Sequence, residues 1–440
     1  MKTIVLRIDP IDNAQNGYPA RLLDLASEPA TVLAQSLLPA TLQPQTPPPD
    51  QTPWLASDQI IPTFANAAAS TPVLRTIGNQ LYQVVASGDL QQHIETLPSD
   101  TRLILDIRDR MLAALPWELL TQNRKRLFTD ATRPICRGLQ EKLAPLPLHE
   151  WPLRMLLVIG SDDPDVQAAE ESQRIREALI DVDADVDLLI LARPPKSTLV
   201  EQLRQFRPHI FHFAGHGGQV PGGGDSYLRL DSDSGNVQWT GETILHDLQG
   251  VDSLRFVFLN ACRTTAESQV NYWTLTDAFL EAGVPAVLGM HSDVTGVDAA
   301  AFAGQIYRGL AAGKALDVAV AEARLYLINL GADALTRRGW AAPALQVRCA
   351  PDSAITVGAG IEEAHRQQVR PAFAEVHRLV DRRKERYQAW ASLRQRQIKL
   401  IVLKGEQEAG KTSFAKMLMH RCALNKHQVR YIDLQHSRRD

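Results

Sequence analysis

His212-Phe213-Ala214-Gly215-His216-Gly217-Gly218 and Leu259-Asn260-Ala261-Cys262-Arg263-Thr264 are the two stretches that decide the fold of this chain. Each closes an apolar run, 208–214 and 254–260, short enough to be a buried strand. Runs of that kind, apolar at nearly every position, are what a parallel sheet covered on both faces requires. Open parallel sheets place their chemistry beyond the carboxyl ends of the strands. His216 and Cys262 stand at two such ends, 46 positions apart, and have the parts of a thiol nucleophile and its base.

Working outward, the region 151–350 alternates strand and helix. Strands are expected at 153–159, 186–192, 209–214, 254–260, 285–289 and 344–348. Helical spacing covers 166–180, 199–206, 243–248, 273–282, 299–312 and 315–330. Gly283 and Gly313 fall where a helix end favours a left-handed residue. Residues 227–239 read as a hairpin around Ser234-Gly235. Residues 1–150 read as an α+β region, with strands at 3–8, 18–25 and 102–107, a Pro-rich surface tract at 44–53, and a short helix opened by Pro116. A charged helical linker is expected over 351–397, and a further α/β unit begins at 398.

Composition limits the function classes. The 440 residues are 45% hydrophobic and 22% charged, with net charge −3, which gives no global attraction to nucleic acid or anionic membrane. Four scattered cysteines, Cys136, Cys262, Cys349 and Cys422, suggest neither a disulfide framework nor a zinc site. No leader-like segment and no apolar run of membrane-spanning length is present, so a cytoplasmic protein is expected.

A cysteine is nucleophilic as the thiolate, which a neighbouring His favours. His216 would be the base, and the amides of Gly217 and Cys262 would hold an oxyanion. The other reading is a buried structural cysteine beside a core or loop histidine. His212 shares the face of His216. It is either a second polar group at the site or a core histidine satisfied by hydrogen bonds.

These stretches resemble the CHAT family of caspase-like cysteine peptidases, which is related to separases. The resemblance rests on His216-Gly217 and Ala261-Cys262 in order. It extends to Pro116-Trp117-Glu118-Leu119, to the strand ending Gly289-Met290, to two following helices and to Trp340 and Pro343, and so spans roughly 1–350. It implies a caspase-like, mostly parallel sheet flanked by helices, and a His216–Cys262 dyad that forms a thioester with a protein substrate. It also implies a regulated effector role in bacterial defence or cell death. His291 departs from the family, where Trp is common. Asp293 in Asp293-Val294-Thr295, together with Asp162 and Asp163, is a candidate for the substrate pocket. A carboxylate there would pair with Arg or Lys before the cut.

Gly405-Glu406-Gln407-Glu408-Ala409-Gly410-Lys411-Thr412 fits the phosphate-loop pattern, between an expected strand at 399–403 and a helix. The loop amides, Gly405, Gly410, Lys411 and Ser413 would cradle ATP or GTP, and Thr412 would ligate magnesium. The segment resembles the start of a NACHT-type ATPase, cut short before its acidic strand. No cofactor is expected for the peptidase itself. A trigger acting through the nucleotide region and assembly on activation are expected partnerships. A scaffold that binds partners and cuts nothing, or an ATPase as the main output, are the alternative functions.

Overall fold

The computed structural model describes residues 1–25, 29–42, 55–66, 71–122, 125–138, 144–149, 152–179, 182, 186–220, 225–232, 235–263, 272–292, 294–330, 338–357, 385, 389, 393, 400–406, 410–424, 428, 430 and 432. At 57, 65, 219, 262–263, 272–274 and 338 the backbone alone is described.

One thirteen-stranded sheet runs through the chain. Its first half is β1 (Lys2–Ile8), β2 (Gly17–Asp24), β3 (Thr31–Pro39), β4 (Thr101–Ile107) and β7 (Ile135–Gly138). A separate small hairpin pairs β5 (Thr121–Gln122) with β6 (Lys125–Arg126). The second half is β8 (Leu153–Ile159), β9 (Val186–Ala192), β10 (Ile210–Gln219), β11 (Ser226–Ser232), β12 (Gly235–Thr240), β13 (Phe256–Arg263), β14 (Ala286–Met290) and β15 (Pro343–Val347). The order is β12-β11-β10-β13-β14-β15-β7-β4-β1-β2-β3, with β8 beside the first half of β10 and β9 on the far side of β8. The pairs β8–β9, β8–β10, β10–β13, β13–β14, β15–β7, β7–β4 and β4–β1 are parallel. The hairpin expected at 227–239 is β11–β12, antiparallel. The strand expected near 344 also lies antiparallel, against β14.

The region before 150 therefore shares its sheet with the rest of the chain through β7 and β15. Arg102 on β4 pairs with Asp317 across 215 positions, both buried, and fastens the two halves. β3 and the helices α1 (Ser57–Ala65), α2 (Thr71–Val85) and α3 (Asp89–Glu95) were not expected from sequence. The expected short helix after Pro116 is a single 3-10 turn, Trp117–Leu119, which follows the brief α4 (Arg110–Ala113).

Helices cover both faces of the second half. On one lie α5 (Ala168–Ala178), α9 (Gly296–Ala311) and α10 (Leu316–Asn329). On the other lie α6 (Lys196–Phe206), α7 (Gly241–Asp247) and α8 (Tyr272–Glu281). Alternation along β10 divides its side chains accordingly. Ile210 belongs to the core shared with Ile175 and Phe302, and Phe211 and Phe213 to the core shared with Leu199 and Phe279. Both faces are dry, which is why the run is mostly apolar. Gly283 and Gly313 follow α8 and α9 with φ of 93° and 76°, a conformation that costs glycine nothing.

The expected strand at 399–403 is a correction. Residues 400–403 form no strand. A strand needs a partner ladder, and its expected neighbour at 429–434 falls almost wholly outside the described residues. Ile401 and Leu403 pack instead on Phe414, Met417 and Leu418 of the helix Lys411–Leu424, which forms as expected. The same helix sends Arg421 to Asp187 at 2.5 Å and to the Val186 carbonyl, both on β9. Most of the expected linker at 351–397 lies outside the described residues.

Candidate active site

β10 and β13 are adjacent and parallel, and their register makes His216 and Cys262 direct partners. Neighbouring strands lie about 4.8 Å apart, and register partners share a face of the sheet. Positions 216 and 262 are thus side by side on the α5–α9 face, at the carboxyl ends of both strands. Gly217 pairs in register with Arg263 on one side and Leu228 on the other. A Cβ at Gly217 would stand 3.1 Å from the Ala261 Cβ, so a larger residue would press on the strand that carries Cys262.

His216 is 5% exposed. Its Nε2 lies 3.1 Å from Oδ2 of Asp163, on the loop between β8 and α5. A carboxylate only accepts, so this contact assigns the ring proton to Nε2. Nδ1 is then the basic nitrogen, and it is buried with no hydrogen-bond partner among the described residues. The loop is fixed by Gly160, whose amide donates to the Ala214 carbonyl at 2.8 Å. The amide of Asp165 donates to Asp163 Oδ1 at 3.0 Å. That bond, and then His216, hold the Asp163 carboxyl below its ordinary value. Asp163 therefore stays ionised through the neutral range and loses its charge only as pH falls below the usual carboxylate value of about 4.

One prediction follows for this contact. Asp163→Asn can return the wrong tautomer, because its amide can donate to Nε2. Any His216-dependent reaction of Cys262 should slow by about tenfold or more, the equivalent of one charge-assisted hydrogen bond. The wild-type rate should fall in acid as Asp163 protonates, and the Asn variant should lack that step. Overlapping pH–rate profiles for the two proteins would remove Asp163 from the site.

Beneath positions 216 and 262 lies a buried polar chain that sequence reading missed. Tyr307 on α9 donates to His212 Nδ1 at 2.9 Å, and His212 Nε2 donates to Glu171 Oε1 at 2.9 Å. Asn260 Nδ2 donates to Glu171 Oε2 at 2.7 Å. His212, Glu171, Asn260 and Tyr307 are each at most 1% exposed. Burial keeps the Tyr307 hydroxyl protonated, which suits its role as donor. Glu171 thereby ties β10 to β13, four positions before His216 and two before Cys262. His212 is the satisfied core histidine of the two readings. The available signal was Glu171 itself, an acid four residues before Ile175 on the apolar stripe of α5.

The other candidates are placed as follows. Asp162 pairs with Arg193 at 2.8 Å. Asp293 lies outside the described residues. His291 turns to Glu118, 3.7 Å away, with its side chain 5% exposed. Glu118 in turn accepts two bonds from Arg137 on β7, whose guanidinium also reaches the carbonyls of Ala113 and Leu115. Pro116-Trp117-Glu118-Leu119 is therefore a clamp between the segment 113–119 and the sheet. Cys136, Cys349 and Cys422 are buried, and burial pushes all three thiols up, Cys349 to about 12.

In the phosphate-loop segment, Gly410 has φ of 75°, and Lys411 Nζ donates to the Gly405 carbonyl at 2.9 Å. Thr412 and Ser413 lie in the first turn of the helix, and residues 407–409 lie outside the described residues. Among the described residues no cluster of three or more His, Cys, Asp or Glu is placed to hold a metal ion. No described helix is long and apolar enough to cross a membrane.

Residues 75–397 match the CHAT domain family, well over half of the chain. The chain belongs to the CHAT family. CHAT is a caspase-like cysteine peptidase family, and the match begins within α2 and runs past β15. No curated protein matches it. Among solved structures, the chain is similar to a chain of the Saccharomyces cerevisiae separase–securin complex, at TM-score 0.41 and 12% identity over 78% of this chain. The alignment covers 30% of that chain, so this CHAT protein spans less than a third of its length.

Proposed function

We propose that this CHAT protein is a cysteine endopeptidase whose dyad is His216 and Cys262. The observation that carries the reading is the β10–β13 register, which sets the two positions side by side. Nδ1 of His216 takes the thiol proton of Cys262, and the thiolate attacks the carbonyl carbon of the scissile peptide. The amides of Gly217 and Cys262 stabilise the oxyanion. The intermediate collapses to a thioester as the leaving amine takes the proton from Nδ1. Water, deprotonated by the same nitrogen, then hydrolyses the thioester and frees the thiol. Asp163 keeps the proton on Nε2 throughout, so that Nδ1 can cycle. Asp293 and Asp162 remain proposed contacts for a basic substrate side chain, with Arg favoured over Lys for its planar fork.

The segment 398–440 is read as part of a nucleotide switch, to which ATP or GTP with magnesium would bind. Lys411 folded onto loop carbonyls and a left-handed Gly410 support that reading. The buried Arg421–Asp187 pair gives the switch helix a contact with the peptidase sheet at β9. A role in bacterial defence or cell death, cytoplasmic location and assembly on activation complete the proposal.

Mapping new protein termini in cells tests it. Wild type should generate termini that Cys262→Ala does not, with Arg or Lys before the cut. In the full-length protein, Lys411→Ala should remove trigger-dependent cleavage. Identical termini from wild type and Cys262→Ala would refute the peptidase. Acidic or apolar residues before the cut would refute the basic pocket alone.

A further inference from the structure

Away from the dyad, α2, the turn Trp117–Leu119, the β5–β6 hairpin and Trp340 enclose a cavity of about 50 Å³. A single water needs roughly 10–15 Å³ on this scale, so there is room for a group of a few heavy atoms. Its walls carry Arg75 from α2 and Arg126 from β6, together with Thr71, Thr121, Leu119 and Trp340. The Arg126 guanidinium lies over the Trp340 ring, 5.2 Å from its centroid, which holds it in place by cation–π attraction. Neither Arg75 nor Arg126 has a carboxylate partner among the described residues. Arg324, also buried without a carboxylate partner among the described residues, donates instead to the carbonyls of Phe128 and Pro343, and four others that reach the interior differ. Arg7, Arg102, Arg137 and Arg421 each meet an acidic side chain.

Two guanidiniums that share a cavity repel each other, and arginine does not relieve the strain by losing its proton. Burial, and then the charge of Arg75, pull Arg126 below its ordinary value. An anion would remove both penalties. The cavity also adjoins the first turn of the 15-residue α2 at Thr71 and Leu74, where the helix dipole favours negative charge. The planar forks of two arginines suit an oxyanion with several acceptor atoms.

We propose that this cavity is a binding site for a phosphate-sized oxyanion, held between Arg75 and Arg126. It shares no residue with the dyad or with the phosphate loop. Its ligand would bridge α2 and β6, which precede residue 150, to Trp340, which leads into β15. The ligand is either inorganic phosphate or the phosphoryl head of a small monoester whose tail stays outside.

The test is thermal unfolding of the 440-residue chain in inorganic phosphate against sodium chloride at equal ionic strength, repeated with glycerol 3-phosphate. Binding to the folded state alone should raise Tm in a saturable way. Arg75→Gln and Arg126→Gln should each weaken apparent affinity by about tenfold or more, as expected for loss of a charged hydrogen bond. Arg75 is exposed, so its replacement leaves the core intact and remains informative even if Arg126→Gln fails to fold. Tighter binding of free phosphate would identify the ion as ligand, and tighter binding of the ester a tailed molecule. Equal Tm in phosphate and chloride, or an unchanged phosphate response in Arg75→Gln, would overturn the site.

Discussion

Cys262 should react with iodoacetamide or an acyl-type electrophile at least about a hundredfold faster than any other cysteine of the folded protein. The expectation has two parts. At neutral pH a thiol held at about 12, as Cys349 is, presents a thiolate fraction of only about 10⁻⁵, against a few per cent for an ordinary thiol near 8.5. Cys136 and Cys422 are raised by burial as well, and all three sulfurs are enclosed. Even an unassisted thiol at Cys262 would lead them by a wide margin, and a neighbouring base widens it. Mass-spectrometric labelling over a pH series reads the rate at each cysteine. His216→Ala should lower the Cys262 rate by about tenfold or more while leaving the other three unchanged. A rate at Cys262 that is indifferent to His216 would mean that the two positions are adjacent without acting together.

The second large effect concerns stability. Glu171→Ala should cost about 3–5 kcal/mol in urea unfolding, because it strands the Nε2–H of His212 and the amide of Asn260 without an acceptor in a dry core. Glu171→Gln keeps the volume and one acceptor but turns a donor toward a donor, so its cost should be smaller, about 1–3 kcal/mol. The two variants should also differ in labelling. Loss of the tie between β10 and β13 should slow Cys262 even where the protein remains folded. A Glu171→Ala protein as stable as wild type would show that the chain of hydrogen bonds does not hold these strands.

The parts of the site that sequence revealed are those set by local pattern. The apolar runs before His216 and Cys262 announce buried strands, because a strand covered on both faces excludes polar residues from nearly every position. Gly283 and Gly313 mark helix ends, because only glycine adopts positive φ without strain. Gly405, Gly410 and Lys411 fit the phosphate-loop spacing, and of that expected unit the helix Lys411–Leu424 forms. The strand expected at 399–403 failed for the complementary reason. Its alternation is genuine, with Ile401 and Leu403 inward and Leu400 and Val402 exposed, but a strand exists only in a ladder.

Tertiary structure alone decided which residues meet. The register that pairs His216 with Cys262 is a property of two strands 46 residues apart, and a slip by one position would have turned one of them to the opposite face. Asp163 reads in sequence as a candidate acid for the substrate pocket. Only the return of the β8–α5 loop over β10 brings it to Nε2 of His216 and so leaves Nδ1 as the unprotonated ring nitrogen. Glu171, Asn260, His212 and Tyr307 come from four elements, and each alone is an unremarkable polar residue near an apolar face. Sequence thus determined the strands, the caps and the residue types available for chemistry, through interactions within a few positions. The protonation, pairing and support of those residues were decided by contacts between elements far apart in the chain, because burial and hydrogen-bond partners exist only once the sheet and its covering helices are assembled.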